Sequence, residues 1–193
     1  MEALLVSTGV VALAEIGDKT QLLAFILAAR FKKPLPIIAG ILVATLVNHG
    51  LAGALGAWIT TVLTPEVLRW VLGASFLAMA VWTLIPDKIE EDETRVATRF
   101  GVFGATLITF FLAEMGDKTQ IATVMLAAQY PHFILVVIGT TLGMLLANVP
   151  VVLAGNFAAE RLPLTLIRRL AACAFAALAV YAGYQALKFS GLI

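Results

Sequence analysis

A seven-residue motif with four oxygen-bearing side chains able to bind a cation, Glu15-Ile16-Gly17-Asp18-Lys19-Thr20-Gln21, stands in the middle of an apolar stretch, and it recurs 99 positions later as Glu114-Met115-Gly116-Asp117-Lys118-Thr119-Gln120. In hydrocarbon, Asp, Lys or Arg costs about 3 kcal/mol or more at a helix centre. A chain that places such groups there twice has a use for them. Positions i, i+3 and i+4 of a helix share a face, so the expectation is that Glu15, Asp18 and Lys19 point one way, as do Glu114, Asp117 and Lys118. If the two motifs meet, 4 carboxylates and 2 ammonium groups converge with a net charge of −2, the complement of one divalent cation.

The donors are hard oxygens. Glu15, Asp18, Glu114 and Asp117 are the primary metal candidates. The second tier, for metal binding or gating, is Lys19, Lys118, Thr20, Thr119, Gln21, Gln120, Asn48 and Asn148. Carboxylate, amide and carbonyl oxygens suit Mg²⁺, Ca²⁺ and Mn²⁺, whereas thiolate and imidazole suit Zn²⁺ and Cu⁺. Neither motif holds Cys or His, which disfavours zinc or copper as the main substrate.

Blander readings compete with these. The motif charges could pair only with one another, but two symmetric copies argue against that, because buried ion pairs stabilise poorly compared with apolar packing. Lys19 and Lys118 are either counterions to Asp18 and Asp117 or groups that take the cation's place when it leaves. Thr20, Thr119, Gln21 and Gln120 could instead cap a broken helix, and Asn48 and Asn148 could serve interhelical hydrogen bonds. Pairing Asn48 with Asn148 takes a one-residue shift and leaves His49 without a polar counterpart, so His49 reads as a core or interface residue, with a proton relay as the alternative. His132, beside Pro131, reads as a solvated loop residue. Gly17 and Gly116 permit a close approach or a kink.

The elements that position these groups follow from composition. Apolar residues make up 61% of the chain and charged residues 13%, against roughly 25% charged in soluble domains. The chain reads as a polytopic membrane protein. A net charge of +1 with no basic run excludes a nucleic-acid footprint. The single cysteine, Cys173, cannot form an intramolecular disulfide and reads as a small packing residue. The N-terminus lacks a basic n-region and a small-residue cleavage site, so it reads as a first span and not as a signal peptide.

A crossing helix needs about 20 apolar residues. Six segments qualify: Ala3–Ala29, Leu35–Leu63, Val67–Ile85, Phe100–Ala128, Phe133–Phe157 and Leu164–Leu187. At the motif offset of 99, Gly40 matches Gly139, Gly56 matches Gly155, Arg69 matches Arg168 and Phe76 matches Phe175. Three spans per copy is an odd number, so the copies must run in opposite directions. The expected fold is an all-α membrane protein of six transmembrane helices in two inverted three-helix repeats, residues 1–90 and 100–193, joined by a charged cytoplasmic linker at 91–99. Inverted repeats of this kind place the substrate site at the repeat interface near the midplane. The acidic stretch Glu90-Glu91-Asp92-Glu93 reads as a solvated linker segment.

The loops after spans one, three and five hold nine of the basic residues (Arg30, Lys32, Lys33, Lys88, Arg95, Arg99, Arg161, Arg168 and Arg169), against Arg69 and Lys188 on the other side. The positive-inside rule then puts both termini outside the cytoplasm. Trp58, Trp70 and Trp82 fall near span ends, as an aromatic belt would. Gly139 and Gly143 form a GxxxG pair suited to helix packing.

The two copies of E-x-G-D-K-[ST] resemble the signature of the GDT family of manganese/calcium cation–proton exchangers, which includes MneA-type bacterial manganese exporters and Golgi exchangers. The resemblance covers essentially the whole chain without departure from the signature. It implies Mn²⁺, with Ca²⁺ as a second substrate, moved in exchange for protons at a site built from Glu15, Asp18, Glu114 and Asp117. The expectation is a secondary transporter that exports Mn²⁺ across a bacterial plasma membrane, not an enzyme, with no cofactor and no nucleic-acid partner. Its partners are the metal ion, protons and lipid, and a homo-oligomer is compatible with the sequence. A Ca²⁺/H⁺ exchanger and a carboxylate-lined channel are the alternatives. An intramembrane hydrolase lacks a nucleophile or zinc-protease motif, and a primary pump lacks a P-loop.

Overall fold

The computed structural model describes residues 1–85, 100–154 and 164–191. The expected linker at 91–99 with its acidic stretch, the end of the fifth span around Phe157, the Gly155 match, the loop Glu160–Pro163 and the basic residues Lys88, Arg95, Arg99 and Arg161 lie outside the described residues.

All regular structure among the described residues is helical: α1 (Glu2–Glu15), α2 (Lys19–Phe31), α3 (Pro34–Val62), α4 (Pro65–Thr83), α5 (Gly101–Glu114), α6 (Lys118–Gln129), α7 (Phe133–Ala154) and α8 (Leu164–Phe189). Local chemistry sets the boundaries. Lys32 ends α2 in the left-handed conformation at φ 53°, and Pro34 opens α3, where a missing N–H has no intrahelical partner to lose. Thr64 caps α4 by accepting the Val67 N–H at 3.4 Å, with Pro65 in the first turn. Helices α3, α4, α7 and most of α8 (Thr165–Phe189) are long and apolar enough to cross a membrane. The outward face of α3 carries Leu46, Val47, Leu51, Leu55 and Trp58, all exposed. Such a surface needs hydrocarbon around it.

The expected first and fourth spans are not continuous helices, a form the sequence leaves open, and this corrects the shared-face expectation for the motif. Each is broken in the middle of its motif, between α1 and α2 and between α5 and α6. Gly17 sits at φ 83° and Gly116 at φ 75°, a left-handed conformation that only glycine adopts without strain. The residues before them, Ile16 and Met115, are extended, and so are Asp18 and Asp117 after them. The face rule for i, i+3 and i+4 therefore does not apply across the motif. Glu15 and Glu114 end one helix, while Asp18 and Asp117 begin the next.

The halves interlock. Helices α1 and α2 pack on α7 of the other half, and α5 and α6 pack on α3; α3 also packs on α7, and α4 on α8. Exchanging the halves maps the main contacts onto themselves, down to single atoms. A Cβ placed on Gly139 would meet Leu4 O and Ser7 Cβ at 2.7 and 2.9 Å, and one on Gly40 would meet Phe103 O and Thr106 Cβ at 3.0 and 2.8 Å. Each contact partner is 99 positions from its counterpart. Gly143 lets the same helix α1 approach further along, with Thr8 O 2.7 Å from its Cβ position. The expected packing role of Gly139 and Gly143 is thus seen directly. Phe76 and Phe175, also equivalent, are fully buried in one core cluster, and Leu23, Ile37, Ile41, Phe110 and Met144 belong to a second.

Two smaller expectations change. Cys173 is exposed on α8 and does not fill the core. Trp58 and Trp70 face outward, but Trp82 is partly buried and its ring lies 5.9 Å from the Lys118 ammonium.

Candidate cation site

The helix breaks bring the motif residues together. Glu15, Asp18, Glu114 and Asp117 are all at least nine-tenths buried, and Glu15 feels the negative charge of the other three carboxylates. Each break has the same internal brace. The Gln21 side-chain carbonyl accepts the Gly17 N–H at 2.9 Å, and Gln120 accepts the Gly116 N–H at 2.7 Å. The Asp18 N–H donates to Glu15 O at 3.0 Å, and the Asp117 N–H to Glu114 O at 3.2 Å. The two glutamines thus hold the turn that presents the carboxylates. Their amide groups donate outward to the other half, Gln21 to Ala147 O at 3.0 Å and Gln120 to Asn48 Oδ1 at 2.6 Å.

Both glutamates face a polar residue on the long helix of the opposite half. Asn148 on α7 donates to Glu15 Oε1 at 3.1 Å, and His49 Nε2 on α3 lies 3.5 Å from Glu114 Oε1. The Thr119 hydroxyl also donates to Glu114 Oε1. Asn48, expected to mirror Asn148, instead receives Gln120 and donates toward Phe111 O at 3.5 Å. His49, read from sequence as a core or interface residue with a proton relay as the alternative, is fully buried and stands beside Glu114. The motif's own offset of 99 aligns it with Asn148 and aligns Asn48 with Ala147. Pairing like with like hid that register.

The lysines differ. Lys118 is buried, 3.6 Å from Asp18 Oδ1 of the other half and 3.5 Å from Ile85 O, whereas Lys19 is half-buried. The structure therefore joins all four primary carboxylates, Thr119, both glutamines, both asparagines and Lys118 in one buried region. Thr20 is fully buried beside them and its hydroxyl has no hydrogen-bond partner.

Several buried oxygens here also lack hydrogen-bond partners: Glu15 Oε2, Glu114 Oε2 and Asn148 Oδ1. Buried carboxylate oxygens without donors are costly, and a cation relieves that cost. Among the described residues no three His, Cys, Asp or Glu side chains stand close enough to enclose an ion. The donors are gathered but not closed into a coordination sphere. Half-helix ends add to the field, because the C-termini of α1 and α5 carry the negative ends of their helix dipoles and the N-termini of α2 and α6 the positive ends.

Comparison with known proteins decides the family. The profile described as "Divalent cation/proton antiporter GDT1" matches residues 3–91 and 102–189. The chain belongs to the GDT1 family. This GDT1-family chain is 56% identical over 181 residues to a Vibrio cholerae protein named "Putative manganese exporter", covering 93% of the chain and 90% of that protein. It is 28% identical to "GDT1-like protein 3" of Oryza sativa subsp. indica, over 83% of the chain and 66% of that protein. A Synechocystis relative, "GDT1-like protein sll0615", is also 28% identical, over 79% of the chain and 82% of that protein. No solved structure matches. The family is one of transporters, and together with the apolar helices it makes this GDT1-family chain an integral membrane protein.

Proposed function

We propose that the protein is a secondary transporter that exports Mn²⁺ from the cytoplasm in exchange for protons, with Glu15, Asp18, Glu114 and Asp117 as the shared site for metal and protons. The observation that carries this reading is the pair of glycine-broken helices, which gather four buried carboxylates from both halves. Crowded carboxylates cannot all stay charged without a cation, so metal entry expels protons and proton entry expels metal. That competition couples the two fluxes at one place. The name of the Vibrio cholerae relative supports manganese over calcium as the main cargo.

The six-span inverted arrangement belongs to the same reading. The contact pattern that maps onto itself when the halves are exchanged supports it, as does a family match in two segments of similar length. In this arrangement α1 with α2 and α5 with α6 form the two broken spans, both termini are extracytoplasmic, and rocking of one half against the other exposes the site alternately. Lys118, lying against Asp18, is the internal cation that holds the carboxylates when metal is absent. Uptake of Mn²⁺ into proteoliposomes tests the site. Glu15→Gln with Glu114→Gln should elute as the native protein does on size exclusion yet lose uptake, and uptake at the native rate would overturn the assignment.

A further inference from the structure

The two halves of the site share the glycine break and the glutamine brace, but their glutamates face different residues of the opposite half. At the motif offset, Asn148 and His49 occupy equivalent positions. Both are fully buried, and both approach the motif glutamate of the opposite half. One glutamate thus faces a carboxamide and the other an imidazole. The imidazole turns its Nε2 to the Glu114 carboxylate, a polar contact where a packing residue would make an apolar one.

We infer that His49 is a ligand to the transported ion, on the Glu114 side, and sets the preference for Mn²⁺ over Ca²⁺ and Mg²⁺. This rests on the proposed transport site. Two ligands of one ion at right angles stand about 3.0–3.3 Å apart for bonds of about 2.1–2.3 Å. The 3.5 Å between His49 Nε2 and Glu114 Oε1 closes to that value with a shift of a few tenths of an ångström. Ca²⁺ and Mg²⁺ take oxygen ligands; imidazole suits later d-block ions best, but Mn²⁺, the first member of that affinity series, accepts one nitrogen among oxygens more readily than an alkaline earth does. A single nitrogen in an oxygen set therefore selects against the alkaline earths. It does not create the thiolate or multiple-imidazole set that holds Zn²⁺ or Cu⁺. The equivalent Asn148 supplies an amide oxygen, Oδ1, that has no hydrogen-bond partner and can complete the other side.

The test uses Mn²⁺ itself as probe. The chain has two histidines, His49 and His132, so a His132→Gln background leaves one imidazole. Purified protein with bound Mn²⁺ should show ¹⁴N coupling in pulsed electron paramagnetic resonance, converted to ¹⁵N coupling by labelled histidine and lost in His49→Asn. In proteoliposomes, His49→Asn, which places asparagine at both equivalent positions, should lower the Mn²⁺-over-Ca²⁺ uptake ratio by at least about tenfold, since losing a ligand should cost no less than losing a ligand's outer-shell partner. A merely structural histidine would lower both fluxes together and leave the ratio in place. Bound Mn²⁺ without nitrogen coupling in the His132→Gln protein overturns the inference and leaves the transport site standing. No bound Mn²⁺ at all overturns the transport site and the inference with it. Should His49→Asn not fold, the nitrogen coupling in the His132→Gln protein decides alone.

Discussion

Lys118 and Asp18 form an ion pair across the two halves, at 3.6 Å and with both side chains almost fully buried. At an effective dielectric of about 20, unit charges at that distance attract by about 5 kcal/mol. Removing one member of a buried pair costs about 3–5 kcal/mol, because a charge is left behind, while removing both is close to neutral. Lys118→Met should therefore lower the melting temperature in detergent by about 6–20 °C, at roughly 2–4 °C per kcal/mol for a chain of this size. Asp18→Asn should cost less, because it also removes repulsion between Asp18 and Glu15. The double variant should recover most of the loss. The assay is a thermal melt followed by tryptophan fluorescence, since the Trp82 ring lies 5.9 Å from the Lys118 ammonium and reports the local change. Single variants that each shift the midpoint by less than about 2 °C, with additive effects in the double, would refute the claim that this pair bridges the halves.

Other outcomes follow from the same geometry. Gly116→Ala should destabilise by about 1–2 kcal/mol through backbone strain alone, since a Cβ there meets nothing within 4 Å; chemical denaturation in detergent measures it. Gly143→Ala should cost about 1–3 kcal/mol by overpacking and also slow Mn²⁺ uptake, because pushing α1 from α7 stretches the 3.1 Å contact of Asn148 with Glu15. Thr119→Val should weaken Mn²⁺ binding about tenfold or more by calorimetry, the scale of losing a hydrogen-bond partner that orients a ligating carboxylate, with Thr119→Ser restoring it.

Much of this was legible in the residues. Composition and hydropathy point to a membrane protein, and the duplicated motif points to the carboxylates that the fold buries together. The helix breaks were less legible, because the face rule assumes a continuous helix and the apolar residues on either side of each motif together reach the length of one span. The signal was local: a glycine able to take positive φ, followed by an aspartate of the kind that begins helices. The difference between Lys19 and Lys118 could not be read at all. Their motifs differ only in Ile16 against Met115, and packing alone buries one lysine against Asp18. His49 was hidden by matching Asn48 to Asn148 by type, whereas the offset set by the motif itself aligns it with Asn148.

The central claim is exchange at one shared carboxylate site, and the direct measurement records Mn²⁺ and pH together inside proteoliposomes. For the native protein, Mn²⁺ entry should drive proton exit with a fixed ratio, and an imposed proton gradient should drive Mn²⁺ against its own gradient. Mn²⁺ entry without any proton movement, or uphill transport that fails under the gradient, would contradict the account and leave a channel in its place.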